Sequence, residues 1–448
     1  MFKIFKENNL IKKVSKNSGF LLFQNIFTML LSALVTGVVA RHFGTEKYGV
    51  FNYVLSITGL FSGIAAIGMN HIVIKDLTQQ PENENKILGT SFWLRVIVAI
   101  MLTIVSEIVV IILSKGEKIY AIIGAFLSAM MLFNCLEVID YYAKAKIRVK
   151  YIAISKIVSF SIISVCKILV VVYNLGLEYY ACMYLIEAII YAFLLIISYK
   201  KMHNKENISK WIFDKEYAKK LLSKCWYFAI SAIMVTIYLK IDQVMLGSLV
   251  QDKSQVGIYS AAVRIADMWV FVPIAIITTI KPIIIGYKGK QEEQYRKNLQ
   301  RLYDICSIVG IVFAIGITIF SKLIIYILYG AEFLEASKIL YIIIWGIWIG
   351  ELGNIHYVWM VCENKEKYSL FYSMSGSITN IILNSILIPK YGMIGAAIAT
   401  LFSQIIANVF SFSIFKESRE LSKYALKAIF FIEPIKLLKN RVFRRKEC

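Results

Sequence analysis

Long apolar stretches recur along the chain, and they restrict its fold more than any other feature of the sequence. Each is about 20 residues long, which is enough for an α-helix to cross the hydrocarbon core of a bilayer. They lack the alternation of apolar and polar residues that strands show, so an all-α polytopic membrane protein is predicted. Twelve apolar windows can be placed, at residues 19–40, 50–73, 88–113, 119–141, 152–173, 179–199, 222–247, 256–286, 302–321, 336–361, 369–388 and 392–415.

The composition excludes an ordinary soluble domain. Apolar residues make up 58% of the 448 residues and charged residues 18%, against roughly 45–50% and 25% in soluble domains. The seven cysteines have no Cys-x-x-Cys spacing and the four histidines have no ligand spacing, so neither a disulfide framework nor a metal site is predicted. The sequence has no phosphate-binding loop, dinucleotide fingerprint or Gly-x-Ser-x-Gly motif, which argues against an enzyme.

The basic residues predict the orientation in the membrane. In a soluble protein the net charge of +21 would suggest a nucleic-acid partner. Here the lysines and arginines collect at the two termini and in every second gap between apolar windows, and they are sparse in the alternate gaps. Because Lys- and Arg-rich segments stay in the cytoplasm, both termini are expected there, and no nucleic-acid partner is predicted.

The longest inside gap divides the twelve windows into two sets of six. Lys47-Tyr48-Gly49-Val50-Phe51 before the second window resembles Gln255-Val256-Gly257-Ile258-Tyr259 before the eighth. This internal likeness predicts two pseudo-symmetric six-helix bundles around a central cavity. The predicted organisation is an interfacial helix, an N-terminal bundle, a cytoplasmic linker, a C-terminal bundle and a basic cytoplasmic tail, at residues 1–18, 19–199, 200–221, 222–415 and 416–448.

Several ionisable residues fall inside the apolar windows, where a charge is costly unless it faces water or a partner. Arg95, Lys167 and Arg264 lie deepest among the basic ones, and a cationic lining of a cavity would suit an anion. Internal ion pairs are the alternative interpretation, for example Arg264 with Asp267 three residues later.

Four short motifs, in this order, resemble the polysaccharide flippases of the multidrug/oligosaccharidyl-lipid/polysaccharide exporter superfamily. The resemblance covers about residues 15–415. The motifs are Ala40-Arg41-His42-Phe43-Gly44 with Tyr48-Gly49, Lys240 to Gly247 with Val256 to Ala262, Leu328-Tyr329-Gly330, and Ile388 to Ala397.

The resemblance implies a transporter and not an enzyme. Such a protein moves an undecaprenyl-pyrophosphate-linked oligosaccharide repeat unit, for O-antigen, capsule or a related envelope polymer, across the bacterial inner membrane by alternating access. The implied surroundings are the lipid bilayer, a polysaccharide polymerase and a chain-length regulator, and a monomer is expected. Arg95, Lys167, Arg264 and Arg41 are the candidate contacts to the pyrophosphate and sugar.

The resemblance also implies a site for a coupling cation. Family members hold sodium with an Asp on the seventh helix, an Asn-x-x-x-Asp pair on the eleventh, and a carbonyl and a Thr on the twelfth. The matching residues are Asp242, Asn380, Asn384, Ala396 and Thr400. Asn384 stands where those members have Asp, so Na⁺ and H⁺ remain alternative coupling ions, and no other cofactor is expected.

Two other functions stay open from the sequence. One is a multidrug antiporter of the same superfamily, whose cationic substrates would favour an acidic cavity. The other is a membrane polysaccharide polymerase or a polyprenyl-dependent glycosyltransferase. Such enzymes usually have a large outer loop or a soluble catalytic domain, whereas the predicted outer gaps here are short.

Overall fold

A computed structural model describes the chain at residues 2–65, 68–203, 210–363, 365 and 367–432. Side chains are described from residue 19 onward, except those at 71, 227, 228, 282 and 367. Within these ranges the structure is helical and contains no strand. The fifteen α-helices of the described ranges are α1 (Phe2–Ala65), α2 (Asn70–Gln79), α3 (Glu84–Leu113), α4 (Lys118–Asn134), α5 (Val138–Ala145), α6 (Lys150–Val172), α7 (Leu177–Met202), α8 (Lys215–Leu249), α9 (Ser254–Asp267), α10 (Phe271–Tyr287), α11 (Glu292–Tyr329), α12 (Ala336–Cys362), α13 (Lys367–Ile405), α14 (Ser411–Ile414) and α15 (Arg419–Ile429).

Two glycines explain how the described helices provide twelve membrane crossings. Ten helical segments are long and apolar enough to cross a membrane, and the two segments Gly19–Ala65 and Tyr368–Ile414 have 47 residues each. Gly44 breaks the first with a φ of 71° and Gly392 breaks the second with a φ of 55°, a left-handed region that favours glycine. Each long segment therefore crosses twice, which confirms the predicted all-α polytopic fold.

The exposure pattern is that of a membrane protein. Large apolar side chains such as Ile112, Val172 and Val312 are exposed along the spans, whereas several interior positions carry polar side chains such as Ser106, Asn380 and Asn384. Helices satisfy their own backbone hydrogen bonds, so they can turn an apolar surface to lipid without leaving N–H and C=O groups unpaired.

The chain forms two compact units, Met1–Thr236 and Ile237–Cys448. In the first, α1 packs against α3, α4 and α6, and α7 packs against α4 and α6. In the second, α12 lies against α9, α11 and α13. The boundary between the units falls inside α8, so the seventh crossing is shared, whereas the sequence predicts that the C-terminal bundle starts at residue 222.

The end of the predicted linker is docked on the first unit. Trp211 is buried against Phe92 and Tyr199, and its indole N–H donates to the Tyr199 hydroxyl at 3.2 Å. The backbone N–H of Ile212 donates to the carbonyl of Asn85. A Cβ on Gly89 would lie only 2.5 Å from the Ile212 nitrogen, so this close approach requires glycine. Residues 204–209 of the predicted linker lie outside the described part of the chain.

The first described part of the predicted tail packs into the core of the second unit. Leu421, Ala425 and Ala428 of α15 are fully buried in a cluster with residues of α11 and α12. Arg296 of α11 pairs with Glu420 at 2.9 Å. Helix α15 is thus part of the C-terminal bundle, and residues 433–448 of the predicted basic tail lie outside the described residues.

Candidate functional site

A buried polar cluster surrounds Asp242 in the second unit. One carboxylate oxygen of Asp242 accepts hydrogen bonds from the Thr400 hydroxyl at 2.5 Å and from the Tyr259 hydroxyl at 2.8 Å. Its other oxygen accepts from the Asn384 amide at 2.6 Å. Asn384 also donates to the side-chain oxygen of Asn380 at 3.0 Å. The structure therefore brings together the side chains of Asp242, Asn380, Asn384 and Thr400, four of the five residues matched to the cation site.

Helix geometry positions these groups. Asn380 and Asn384 lie four residues apart on α13, so they share one helix face. Thr400 lies beyond the break at Gly392, on the returning part of α13, and its hydroxyl also bonds to the carbonyl of Ala396 at 3.0 Å. The break thus folds one long helix back on itself, which brings both of its halves to the carboxylate of Asp242 on α8.

The cluster has the chemistry of a proton or small-cation site. Its oxygen atoms come from a carboxylate, two amides, two hydroxyls and a backbone carbonyl, which are the ligand types that hard cations prefer. Asn384 is fully buried, and its side-chain oxygen has no hydrogen-bond partner among the described residues. A buried acceptor without a donor is costly, and a cation or a protonated carboxyl beside it would remove that cost.

Tyr259 completes the cluster but is absent from the predicted site. Its hydroxyl lies 2.8 Å from Asp242 and 3.2 Å from Thr400. The residue belongs to the Val256 to Ala262 motif, so the sequence marks the segment but not the role of this side chain. What identifies its role is the pairing of a buried tyrosine hydroxyl with a buried carboxylate. That pairing depends on the fold and is not visible in the sequence.

Arg95 is held by an ion pair within the first unit. The residue is 3% exposed, and its guanidinium donates to Glu137 at 3.0 Å and to the Tyr141 hydroxyl at 2.9 Å. Within the part of the chain that the structure describes, its Nε atom has no hydrogen-bond partner. The arrangement corresponds to the ion-pair interpretation that the sequence leaves open.

Lys167 is paired in a similar way. It is 5% exposed, lies 3.2 Å from a carboxylate oxygen of Glu187, and its ammonium is 3.6 Å from the centre of the Tyr184 ring. Lys156 approaches the other oxygen of Glu187 at 3.8 Å. Two lysines therefore share one carboxylate, and the cluster carries a net positive charge.

The other two predicted cationic contacts are more accessible. Arg264 on α9 is exposed and interacts electrostatically with Lys240 and with Asp267, which is also exposed. Arg41 is exposed near the end of the first crossing, before the break at Gly44. Arg41, Arg95 and Lys167 belong to the first unit, whereas Arg264 belongs to the second.

Twelve crossings that bury a carboxylate cluster and several ion pairs define a multi-pass membrane protein of the transporter class. The chain belongs to the polysaccharide biosynthesis protein family, whose model matches residues 14–288. The MatE family model also matches, over residues 228–386. The predicted resemblance to polysaccharide flippases is thereby confirmed.

Relatives of similar length carry related names. The chain is 22% identical to the capsular polysaccharide biosynthesis protein CapF of Staphylococcus aureus over 90% of this chain and 99% of CapF. It is 23% identical to a putative O-antigen transporter of Shigella flexneri over 86% of this chain and 94% of that protein. The structure matches the lipid II flippase MurJ in an inward closed conformation with a TM-score of 0.71 and 18% identity, over 94% of this chain and 92% of MurJ, which shows a shared fold.

Proposed function

We propose that the protein is a flippase that translocates an undecaprenyl-pyrophosphate-linked oligosaccharide repeat unit across the bacterial inner membrane by alternating access. The observation that carries the proposal is the near full-length similarity to the putative O-antigen transporter and to CapF. The Lys and Arg distribution supports cytoplasmic termini. A repeat unit delivered to the outer leaflet would pass to a polysaccharide polymerase and its chain-length regulator.

The physical task is to carry a charged sugar headgroup past about 30 Å of hydrocarbon. Hydroxyl and phosphate groups lose their water there and need replacement partners. Arg264 and Arg41 are the accessible cations for the pyrophosphate. Arg95 and Lys167 can bind the pyrophosphate only if a phosphate replaces their present partners, the carboxylates of Glu137 and Glu187. Such an exchange keeps each buried cation paired and avoids the cost of a lone buried charge.

Asp242 is the proposed coupling residue. A carboxylate surrounded by hydroxyl and amide groups can take up and release H⁺ or Na⁺ as its surroundings change during transport. Return of a cation to the cytoplasm at Asp242 would reset the inward-facing state. The membrane potential assists the outward step, since an anion leaving a negative interior gains about 2.3 kcal/mol per charge per 100 mV.

The test is export by a variant of Arg264. Arg264→Ala is expected to reduce surface polysaccharide at least tenfold at native expression, whereas Arg264→Lys keeps the charge and retains part of the export. Protein in the membrane fraction is measured for each variant, and Lys118→Ala, an exposed lysine at the start of α4, is the matched control. Normal surface polysaccharide in Arg264→Ala would discard the assignment of this side chain to the substrate.

The MatE match supports a second candidate, a multidrug cation antiporter. The discriminating measurement is efflux of a cationic dye from cells that express the protein. A flippase leaves dye accumulation unchanged and restores polysaccharide export in a host that lacks its own flippase. An antiporter lowers dye accumulation and does not restore polysaccharide export.

A further inference from the structure

A polar pocket lies at one end of the second unit, on the side that the Lys and Arg distribution predicts to be outside. It has a volume of about 490 Å³ and is formed by the end of α8, the start of α9, the turn before α12 and the break in α13. The polar side chains that line it are Asp252, Ser254, Gln255, Glu335, Lys390 and Tyr391.

The pocket is fixed by backbone contacts. Gly392 adopts a φ of 55°, and the following N–H, of Met393, donates to the side-chain oxygen of Gln255 at 3.0 Å. A Cβ at Gly392 would lie 2.2 Å from that oxygen. Asp252 accepts the backbone N–H of Ser254 at 2.9 Å. The walls are therefore in place before any ligand arrives, which lowers the ordering cost of binding.

The pocket also gives a role to parts of the sequence motifs that do not contribute to the Asp242 cluster. The Ile388 to Ala397 motif supplies one wall through Lys390, Tyr391 and Gly392. Gln255 immediately precedes the Val256 to Ala262 motif, and Glu335 follows closely after Leu328-Tyr329-Gly330. Three segments that are distant in sequence thus contribute to one cavity.

We propose that this pocket binds sugar rings of the translocated oligosaccharide on the outer side of the membrane. The inference rests on the proposed function and adds a site for the saccharide. Carboxylates accept hydrogen bonds from sugar hydroxyls and an ammonium donates to them. The ring of Tyr391 is 59% exposed and offers a flat apolar face to a pyranose.

The charges of the pocket suit an uncharged saccharide. Asp252 and Glu335 bring two carboxylates, and Lys390 is the basic residue among the lining side chains. Lys338, three residues further along in α12, forms an ion pair with Glu335, with 3.3 Å between the ammonium nitrogen and the carboxylate oxygen. Two carboxylates and two lysines leave no excess of positive charge to attract a phosphate, so neutral or amino sugars fit this lining better. The volume lies within the roughly 300–1,000 Å³ of small-ligand pockets.

The test measures binding of sugar without lipid to the full chain in nanodiscs. The probe is the repeat-unit oligosaccharide released by mild acid from the polyprenyl-linked pool of the source cell, and maltotetraose is the unrelated sugar. Titration calorimetry is expected to show saturable binding of the probe that Tyr391→Ala and Asp252→Asn each weaken at least fivefold. Tyr173→Ala and Glu117→Gln change an exposed tyrosine and an exposed carboxylate at outer turns of the first unit, and they should bind as the wild type does.

Two results would overturn the proposal: no saturable binding by the wild type, or unchanged affinity in both pocket variants. A parallel assay follows translocation of a fluorescent lipid-linked oligosaccharide in proteoliposomes. Translocation by the wild type without pocket-dependent sugar binding rejects the pocket and keeps the flippase. Pocket-dependent sugar binding without translocation supports the pocket and rejects the flippase.

Discussion

Asp242 differs from Glu137 and Glu187, two other carboxylates inside the spans, in the kind of partner it has. Glu137 and Glu187 each face a basic side chain, whereas the hydrogen bonds to Asp242 come from hydroxyl and amide groups. A carboxylate in an ion pair is already neutralised by its basic partner, so this carboxylate has little tendency to take up another cation. A carboxylate among neutral donors keeps its charge available for an incoming proton or metal ion.

The variant Asp242→Asn tests this role. Asparagine has nearly the same size but cannot exchange a proton, and it attracts a cation only weakly. Translocation of a lipid-linked oligosaccharide in proteoliposomes is expected to fall at least tenfold, with an unchanged amount of folded protein. Ser385→Ala is the matched control, because Ser385 is exposed on α13 close to Asn384. A wild-type rate in Asp242→Asn would remove Asp242 from the coupling step.

Lys167 allows a separation of structural pairing from substrate contact. Lys167→Ala leaves Glu187 with the more distant Lys156, and loss of one partner of a buried pair costs about 3–5 kcal/mol. The thermal midpoint is therefore expected to fall. The exchange Lys167→Glu with Glu187→Lys restores a pair of opposite charges, so stability should largely return.

Transport gives the second readout for the same exchange. If Lys167 meets the pyrophosphate, a glutamate at position 167 repels it, and translocation stays low although the thermal midpoint is restored. This is the expected outcome. Recovery of both quantities would show that the residue serves only as the partner of Glu187.

At the scale of helices, the sequence predicts crossings well because hydrophobic length is a local property. It predicts the turns at Gly44 and Gly392 less directly, because each turn is a break at a single glycine within one long helical segment. The packing of α15 against α11 is not predictable in this way. It depends on contacts between residues more than 100 positions apart, such as Gln300 with the Tyr424 carbonyl.

The linker segment before α8 supports a prediction about pH. Hydrogen bonds from the Lys86 ammonium and from the backbone N–H of Tyr217 lower the pKa of Asp214 below its ordinary value. Because the pKa of this carboxylate is lower in the folded state, its ionised form stabilises the docked linker at pH values above the unfolded-state pKa of about 4. That contribution is lost as the pH falls through the folded-state pKa.

Hydrogen exchange of residues 210–217 measures this effect. Their protection is expected to be constant from pH 7 to about pH 5, after correction for intrinsic rates, and to decrease below about pH 4. Asp214→Asn should show reduced protection already at pH 7, with little further change on acidification. Protection in the variant equal to that of the wild type at pH 7 would show that Trp211 and the backbone contacts hold the linker without the carboxylate.

At the scale of the whole molecule, the sequence predicts the fold but not the state of its buried charges. Periodicity and charge asymmetry define twelve crossings and two sets of six. The partner of Arg95 is Glu137, 42 residues away, and the partner of Lys167 is Glu187, 20 residues away. No local pattern reports such pairs, which is why a cationic lining and an internal ion pair are equally compatible with the sequence.

Orientation is the property of the whole molecule that the charge pattern predicts most directly. Lys118 begins α4 and Lys201 lies in the last turn of α7, and both are exposed. Three crossings separate them, so they must lie on opposite sides of the membrane. In a chain whose seven cysteines are replaced, Lys118→Cys is expected to react with an impermeant maleimide on intact spheroplasts, and Lys201→Cys only after lysis. This result is expected because Lys and Arg in short loops resist translocation. The reverse pattern would place both termini outside and would also reverse the predicted direction of export.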